Sequence, residues 1–442
     1  MQKEREIIKK TETLYQVGKE NSIVLKDSEI SLLEQLMIHR IMHSKSIHLF
    51  LSQLAGKKLN SNAISNRLRR LVEAKILERV TLNISVTRAH VPRYYYKLGL
   101  RAYRCLVSLK RIENTKENFN IFKVSRKSEV PRLHTDAMSI LANQIYLHSI
   151  SKSYVNFTHM RGVEGVIVTS EGQELGIRGL NYAIPDWIFL QEKHFIFVEL
   201  DTGSQEQKMI REKIDNYESL NKIFLEKNGY TMSLVFAVLD NSIDVVQKNK
   251  KQNRSKRVAS LKQNLSSICF SIFAVSAKRA SYLILKILTN LKIDKYELTC
   301  HWLNMAETVI SSKKNLLVEQ IHDPEELPQE LLEVQNDVLD LPLLKLTLNQ
   351  RSQYLLPIFV LEGNVESYKS IKFVYQAISD INTKVKTSEI ILVLVYVNSM
   401  ESIEDILGID ISFKVYKTDL ITWQQTNNLP RMLKVTGPFT QE

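Results

Sequence analysis

The chain has 442 residues, 44% hydrophobic and 24% charged, a composition ordinary for globular proteins and a length that suggests roughly three domains. Its net charge of +12 and pI near 9.3 point to an anionic partner, nucleic acid first and an anionic membrane surface second. Cys105, Cys269 and Cys300 are too scattered for a zinc site or a disulfide framework, and no apolar run reaches ~18 residues or forms a leader. A cytoplasmic protein without membrane insertion is expected.

Residues 1–26 read as a leading helix or arm. Asp27-Ser28 supplies an N-cap for a helix bearing Ile30, Leu33, Leu36, Met37 and Ile41. A short helix follows at 46–54. Asn60-Ser61 caps a third helix with Ile64, Leu68, Leu71 and Val72 inward and Asn62, Ser65, Asn66, Arg69 and Arg70 on the opposite face. Two strand-like runs, 76–80 and 93–99, complete the pattern of a winged helix-turn-helix over residues 1–111. From Ser61 to Arg111 twelve Lys/Arg face two acids, so most of the chain's charge excess lies here. A polar, Arg-rich third helix suits the major groove, and Arg88 and Arg93 in the wing suit phosphates. The plainer reading is a solvated helix face.

Residues 112–131 are polar, end at Pro131 and read as a linker. A domain at 132–300 then runs helix (132–149), strands near 154–160 and 165–169, a Gly-rich loop (171–182), two apolar runs (184–190 and 195–203), a helix (205–226) and a strand (231–239). A basic tract holding Lys248, Lys250, Lys251, Arg254, Lys256 and Arg257 follows, then a strand at 268–275 and a helix at 277–291. Residues 319–340 carry eight acids and no Lys or Arg, marking a connector assigned to 301–345. Alternating strand and helix signals make 346–442 a small α/β domain. The whole is mixed α/β.

The chemistry concentrates on Pro185-Asp186 and Glu199-Leu200-Asp201. Side chains two apart on a strand share a face, so Glu199 and Asp201 point together, with Asp186 across a hairpin turn at 191–194. Three carboxylates among apolar strands are costly unless a cation sits between them, and oxygen ligands suit Mg²⁺ or Mn²⁺. The alternative is a salt-bridge cluster at strand ends. His134 reads equally as a packed histidine, and Tyr217 more as packing than chemistry.

Pro185-Asp186 and Glu199 on this order of elements resemble the PD-(D/E)xK restriction-endonuclease-like phosphodiesterases, whose core is αβββαβ. The lysine position of that pattern holds Asp201, so a migrated lysine is implied, Lys213 ahead of Lys208. Adding the winged helix, His134 and Asp136, the Glu-x-Asp-x-Gly run at 199–203, and Lys213 with Tyr217, residues 25–240 resemble the replication-relaxation family and, within it, the MOB-C class of conjugative relaxases. The resemblance implies metal-dependent nicking of one strand of plasmid or conjugative-element origin DNA. It also implies a catalytic set of Asp186, Glu199, Asp201 and Lys213. The C-terminal α/β domain, beyond the resemblance, is a candidate to recruit a coupling ATPase or another transfer protein. The His-hydrophobe-His pair of covalent relaxases is absent; His39 and His43 stand four residues apart. The competing readings are a non-catalytic replication initiator or transcription regulator with a decayed nuclease core, and an ordinary restriction or repair nuclease.

Overall fold

A computed structural model describes residues 14–17, 23–86, 89–116, 118–119, 122, 133–151, 157–203, 205–240, 242, 254–267, 269–289, 302–304, 306–307, 317–321, 343–348, 351–384, 388–409, 414–420 and 433–435. They fall into two compact units, one ending at Arg161 and one beginning at Gly162.

In the first unit, strands β1 (Leu14–Val17) and β2 (Ile23–Lys26) pair antiparallel where a leading helix or arm is expected. The β-branched Val17, Ile23 and Val24 favour the extended form over a helix. Helix α1 (Asp27–His39) begins one residue ahead of the predicted cap. Lys26 is the N-cap, and its N–H donates to the Glu29 carboxylate at 3.0 Å. The helix stops at Arg40, which adopts φ 62°, so His39 and His43 do not share a helix. His43 lies instead on β3 (Met42–His43), and its Nδ1 accepts the Lys45 N–H at 3.3 Å to cap α2 (Ser44–Leu54). Asn60 caps α3 (Ser61–Glu73) as predicted, its Oδ1 accepting the N–H groups of Asn62 at 2.9 Å and Ala63 at 3.2 Å.

The antiparallel ribbon β4 (Leu77–Val86) and β5 (Ala89–Leu98) follows, with β3 on the other side of β5. Helix α4 (Leu100–Ser108), helix α5 (Leu133–Ser151) and strand β6 (Thr158–Arg161) complete the unit. Its core joins Ile30, Leu36, Phe50, Leu68, Leu71 and Leu106 with Leu147 of α5. Phe122, within the stretch that reads as a linker, is buried in the same core and stacks on Tyr103.

The second unit opens with the small pair β7 (Val166–Val168) and β8 (Glu174–Gly176). Strands β9 (Trp187–Gln191) and β10 (His194–Asp201) form the predicted hairpin, with Glu192 in its turn at φ 52°. Helix α6 (Gln207–Leu220), strand β11 (Thr231–Val238), helix α7 (Arg254–Asn264), strand β12 (Ser271–Ser276) and helix α8 (Ala277–Leu288) follow. In the order β12-β11-β10-β9, the last pair is antiparallel and the others parallel. Phe195 to Val198 are all buried, because a strand in the middle of a covered sheet has no wet face.

The rest of the unit is a second sheet. Its strands are β13 (Leu317–Ile321), β14 (Leu343–Leu348), β15 (Arg351–Phe359), β16 (Ser388–Tyr396), β17 (Val415–Asp419) and β18 (Leu433–Lys434), in chain order across the sheet. Helices α9 (Val365–Lys384) and α10 (Ser399–Glu404) make the crossovers between parallel β15, β16 and β17. Strand β13 begins the stretch that reads as an acidic connector, and Glu319 pairs there with Lys345 of β14 at 3.0 Å. The architecture is mixed α/β throughout.

Candidate active site

The hairpin register pairs Val198 with Trp187, and just beyond that pair Asp186 lies close enough to Glu199 for its charge to act on that carboxyl. Two contacts hold Asp186 there: its N–H donates to the Val198 carbonyl at 3.0 Å, and its Oδ2 accepts the Leu200 N–H at 2.8 Å. Gly162 sets the other side of this corner. A Cβ at 162 would lie 1.7 Å from the Pro185 carbonyl oxygen, so only glycine admits that approach.

Phe197, Glu199 and Asp201 alternate onto one face of β10, and α6 lies against it. Lys213 and Tyr217, one helical turn apart, both reach Glu199. Lys213 Nζ donates to Glu199 Oε2 at 2.6 Å, Tyr217 OH donates to Oε1 at 2.6 Å, and the Tyr217 ring stacks on Phe197 at 5.6 Å. Glu199 is 3% exposed and Tyr217 0%, while the Lys213 side chain keeps 32%, so solvent reaches the cluster along the lysine.

Burial, then the nearby Asp186 charge, push the Glu199 carboxyl up to about 7, against the opposing pull of Lys213 and Tyr217. The Tyr217 phenol is held well above its ordinary value, first by burial and then by Glu199. A phenol so placed is a donor to the carboxylate.

Asp201 is not brought to this cluster. Arg257 Nε donates to its Oδ2 at 2.6 Å, and the Gly203 N–H to its Oδ1 at 2.8 Å. Arg257 also donates to the Gln205 carbonyl at 2.9 Å. The sequence shows Arg257 only as one cation of a basic tract, 56 residues from the acid it meets. Lys208, the second choice for a migrated lysine, points to solvent at 85% exposure, with Glu212 4.0 Å away. His134 is half-buried on α5 in the first unit, and the side chain of Asp136 lies outside the described residues.

The site therefore offers two neighbouring carboxylates, an ammonium and a phenol. Among the described residues no group of three or more His, Cys, Asp and Glu gathers as a metal cluster. Two carboxylates still fit Mg²⁺ or Mn²⁺, since Mg²⁺ commonly takes one or two and fills its shell with water and substrate phosphate.

The predicted DNA-contact residues sit on α3. Asn62, Ser65, Asn66, Arg69 and Arg70 are all exposed, at helical spacings that place them on one stripe. Arg67, between them in sequence, is turned inward, with Nε 2.6 Å from Glu29 Oε1 and NH2 2.7 Å from Oε2. Part of the local positive excess is thus used inside the fold. Arg101 likewise donates to the Ala74 carbonyl at 2.8 Å. Arg93 lies on β5 opposite Leu82, while its side chain and all of Arg88 lie outside the described residues.

The family model described as replication-relaxation matches residues 33–234, from within α1 to within β11. The match supports a replication-relaxation relationship for that stretch and covers the α3 face, Asp186, Glu199, Lys213 and Tyr217 together. Arg257 and the second sheet lie beyond it. No curated protein and no solved structure matches the chain. Among the described residues no helix is long and apolar enough to cross a membrane.

Proposed function

We infer that the protein is a replication-relaxation DNA nickase of a plasmid or conjugative element, a relaxase of the MOB-C kind. In this reading α1, α2, α3 and the β4–β5 ribbon form a winged helix-turn-helix that selects duplex origin DNA. The β9–β12 sheet with α6 is a PD-(D/E)xK-like phosphodiesterase core that nicks one strand. The observation that carries the reading is the 2.6 Å contact between Lys213 and Glu199, with Asp186 across the hairpin. It places a lysine from α6 at the acid of β10, where the strand itself holds Asp201.

Asp186 and Glu199 would hold the divalent ion, Mg²⁺ or Mn²⁺, whose chemistry is to polarise the phosphodiester and lower the pKa of water. Lys213 reaches the carboxylate with one donor, which leaves two further ammonium protons for a scissile phosphate. Tyr217 fixes the Glu199 carboxylate from the buried side. Asp201 is assigned to the fold rather than to the ion. A coupling ATPase or another transfer protein is the partner that the C-terminal α/β domain would recruit.

The test is nicking of supercoiled plasmid carrying the native origin, with Mg²⁺ or Mn²⁺, by the wild type and by Asp186→Ala and Glu199→Ala. Origin-specific nicks lost in both variants support the reading. Origin binding with no nicking under either metal would replace it with a DNA-binding initiator or regulator, and cutting without origin preference with a general nuclease.

A further inference from the structure

The family match stops in β11, yet the candidate site is tied to residues far beyond it. Arg257 is the first of these. Its guanidinium meets Asp201 at the end of β10 and the Gln205 carbonyl in the loop that leads into α6. It therefore spans the junction between the strand that carries Glu199 and the helix that carries Lys213 and Tyr217. Two more contacts continue the seam between α6 and α7: Gln207 Nε2 to Ser260 Oγ at 2.7 Å, and Arg211 NH2 to Asn264 Oδ1 at 3.2 Å.

The opposite side of α7 is anchored in the stretch that follows α10. Lys262, 2% exposed, donates to Asp405 Oδ1 and to the Ile406 carbonyl, each at 2.7 Å. Asp405 also accepts from Tyr396 OH at 2.9 Å and from the Gly363 N–H at 3.2 Å, and the Lys417 ammonium lies 2.7 Å from its carbonyl. At Gly408, φ 69°, a Cβ would come within 2.5 Å of the Ala259 Cβ, so this backbone presses directly on α7. An ion pair buried in this way resists separation, because breaking it strands a buried charge.

We propose that Arg257 is a positioning residue of the candidate nuclease site, and that the C-terminal sheet, through Asp405 and Lys262, fixes α7 so that Arg257 braces the β10–α6 junction. The role as a brace of a metal and phosphate site rests on the proposed function. The brace itself can be read without it.

The full-length wild type, Arg257→Gln, Arg257→Lys and Lys262→Met would be compared in two measurements. The first is amide hydrogen exchange of peptides spanning 199–207. The second is binding of Mn²⁺ alone, followed by paramagnetic resonance. Arg257→Gln is expected to exchange faster at 199–207 and to bind Mn²⁺ more weakly, by at most about 10-fold, because Arg257 acts through the strand that carries Glu199 and the 10–100-fold losses belong to groups bonded directly to a metal ligand. Arg257→Lys should recover part of both. Lys262→Met should loosen the same peptides although it touches neither Asp201 nor Glu199. If that buried change prevents folding, the less buried Arg257 variants decide alone. Wild-type exchange at 199–207 in Arg257→Gln overturns the proposal. Faster exchange in a protein whose wild type binds no Mn²⁺ leaves the brace standing and rejects the metal site.

Discussion

Replacing Glu199 with glutamine should stabilise the protein, and only above acidic pH. Its carboxyl rises from an ordinary 4.5 to about 7 in the folded chain, chiefly through burial and Asp186. Below about pH 4.5 both folded and unfolded chains hold the proton, and the group contributes no pH dependence. Between that value and about 7 the unfolded chain releases its proton while the folded chain keeps it, so stability falls as pH rises. Above about 7 the folded chain ionises too, and the cost is complete at about 3 kcal/mol. Glutamine keeps an oxygen for the Tyr217 hydroxyl and carries no charge to bury. Urea unfolding of the wild type and Glu199→Gln at pH 5 and pH 8 reads the difference directly. The gap between the two proteins should shift by roughly 2–3 kcal/mol in favour of the variant at the higher pH. Saturating Mn²⁺ should shrink it by stabilising the wild-type carboxylate. A variant equally destabilised at both pH values would refute the placement of Glu199 as a buried acid close to Asp186.

Tyr217→Phe removes a 2.6 Å donor from Glu199, so its pKa should climb further and the acidic limb of the activity profile, where Glu199 must ionise, should move to higher pH; origin nicking should slow but persist, with no covalent protein–DNA adduct in either protein on denaturing gels. Lys213→Met should cost about 100-fold in nicking rate while leaving origin binding in a gel-shift assay unchanged. Arg67→Ala and Arg70→Ala should separate cleanly. The first leaves the buried Glu29 without its counter-charge and should lower the thermal midpoint, with a loss on the order of 1–3 kcal/mol. The second should leave stability within about 0.5 kcal/mol and weaken origin binding, with the salt slope falling by about one if Arg70 meets a phosphate.

Much of the molecule is written in local pattern. The caps and apolar stripe of α3, the alternation of β9 and β10, and the strand–helix order of the C-terminal sheet follow from residue type and spacing, because each is decided within a few neighbours. So does the exposure of Asn62, Ser65, Asn66, Arg69 and Arg70, set by the helical period opposite Leu68 and Leu71. The face of β10 shared by Glu199 and Asp201 is likewise a matter of period two.

What the two acids do with that shared face is not local. Glu199 takes its partners from α6, 14 and 18 residues on, and Asp201 takes its partner from α7, 56 residues on. Sequence alone allows three carboxylates on one ion. Packing divides them, because a buried charge binds whichever donor the adjacent helix brings within reach, and α7 brings Arg257 to Asp201. The same holds for Arg67, which the helical period leaves off the polar stripe but whose partner Glu29 only the fold supplies. The hairpin of β1 and β2, the burial of Phe122 and the anchoring of α7 through Asp405 are also tertiary outcomes. The sequence alone thus determines which residue types stand near Asp186 and Glu199; the tertiary structure decides which of the charges are neutralised within the fold and which remain for a ligand.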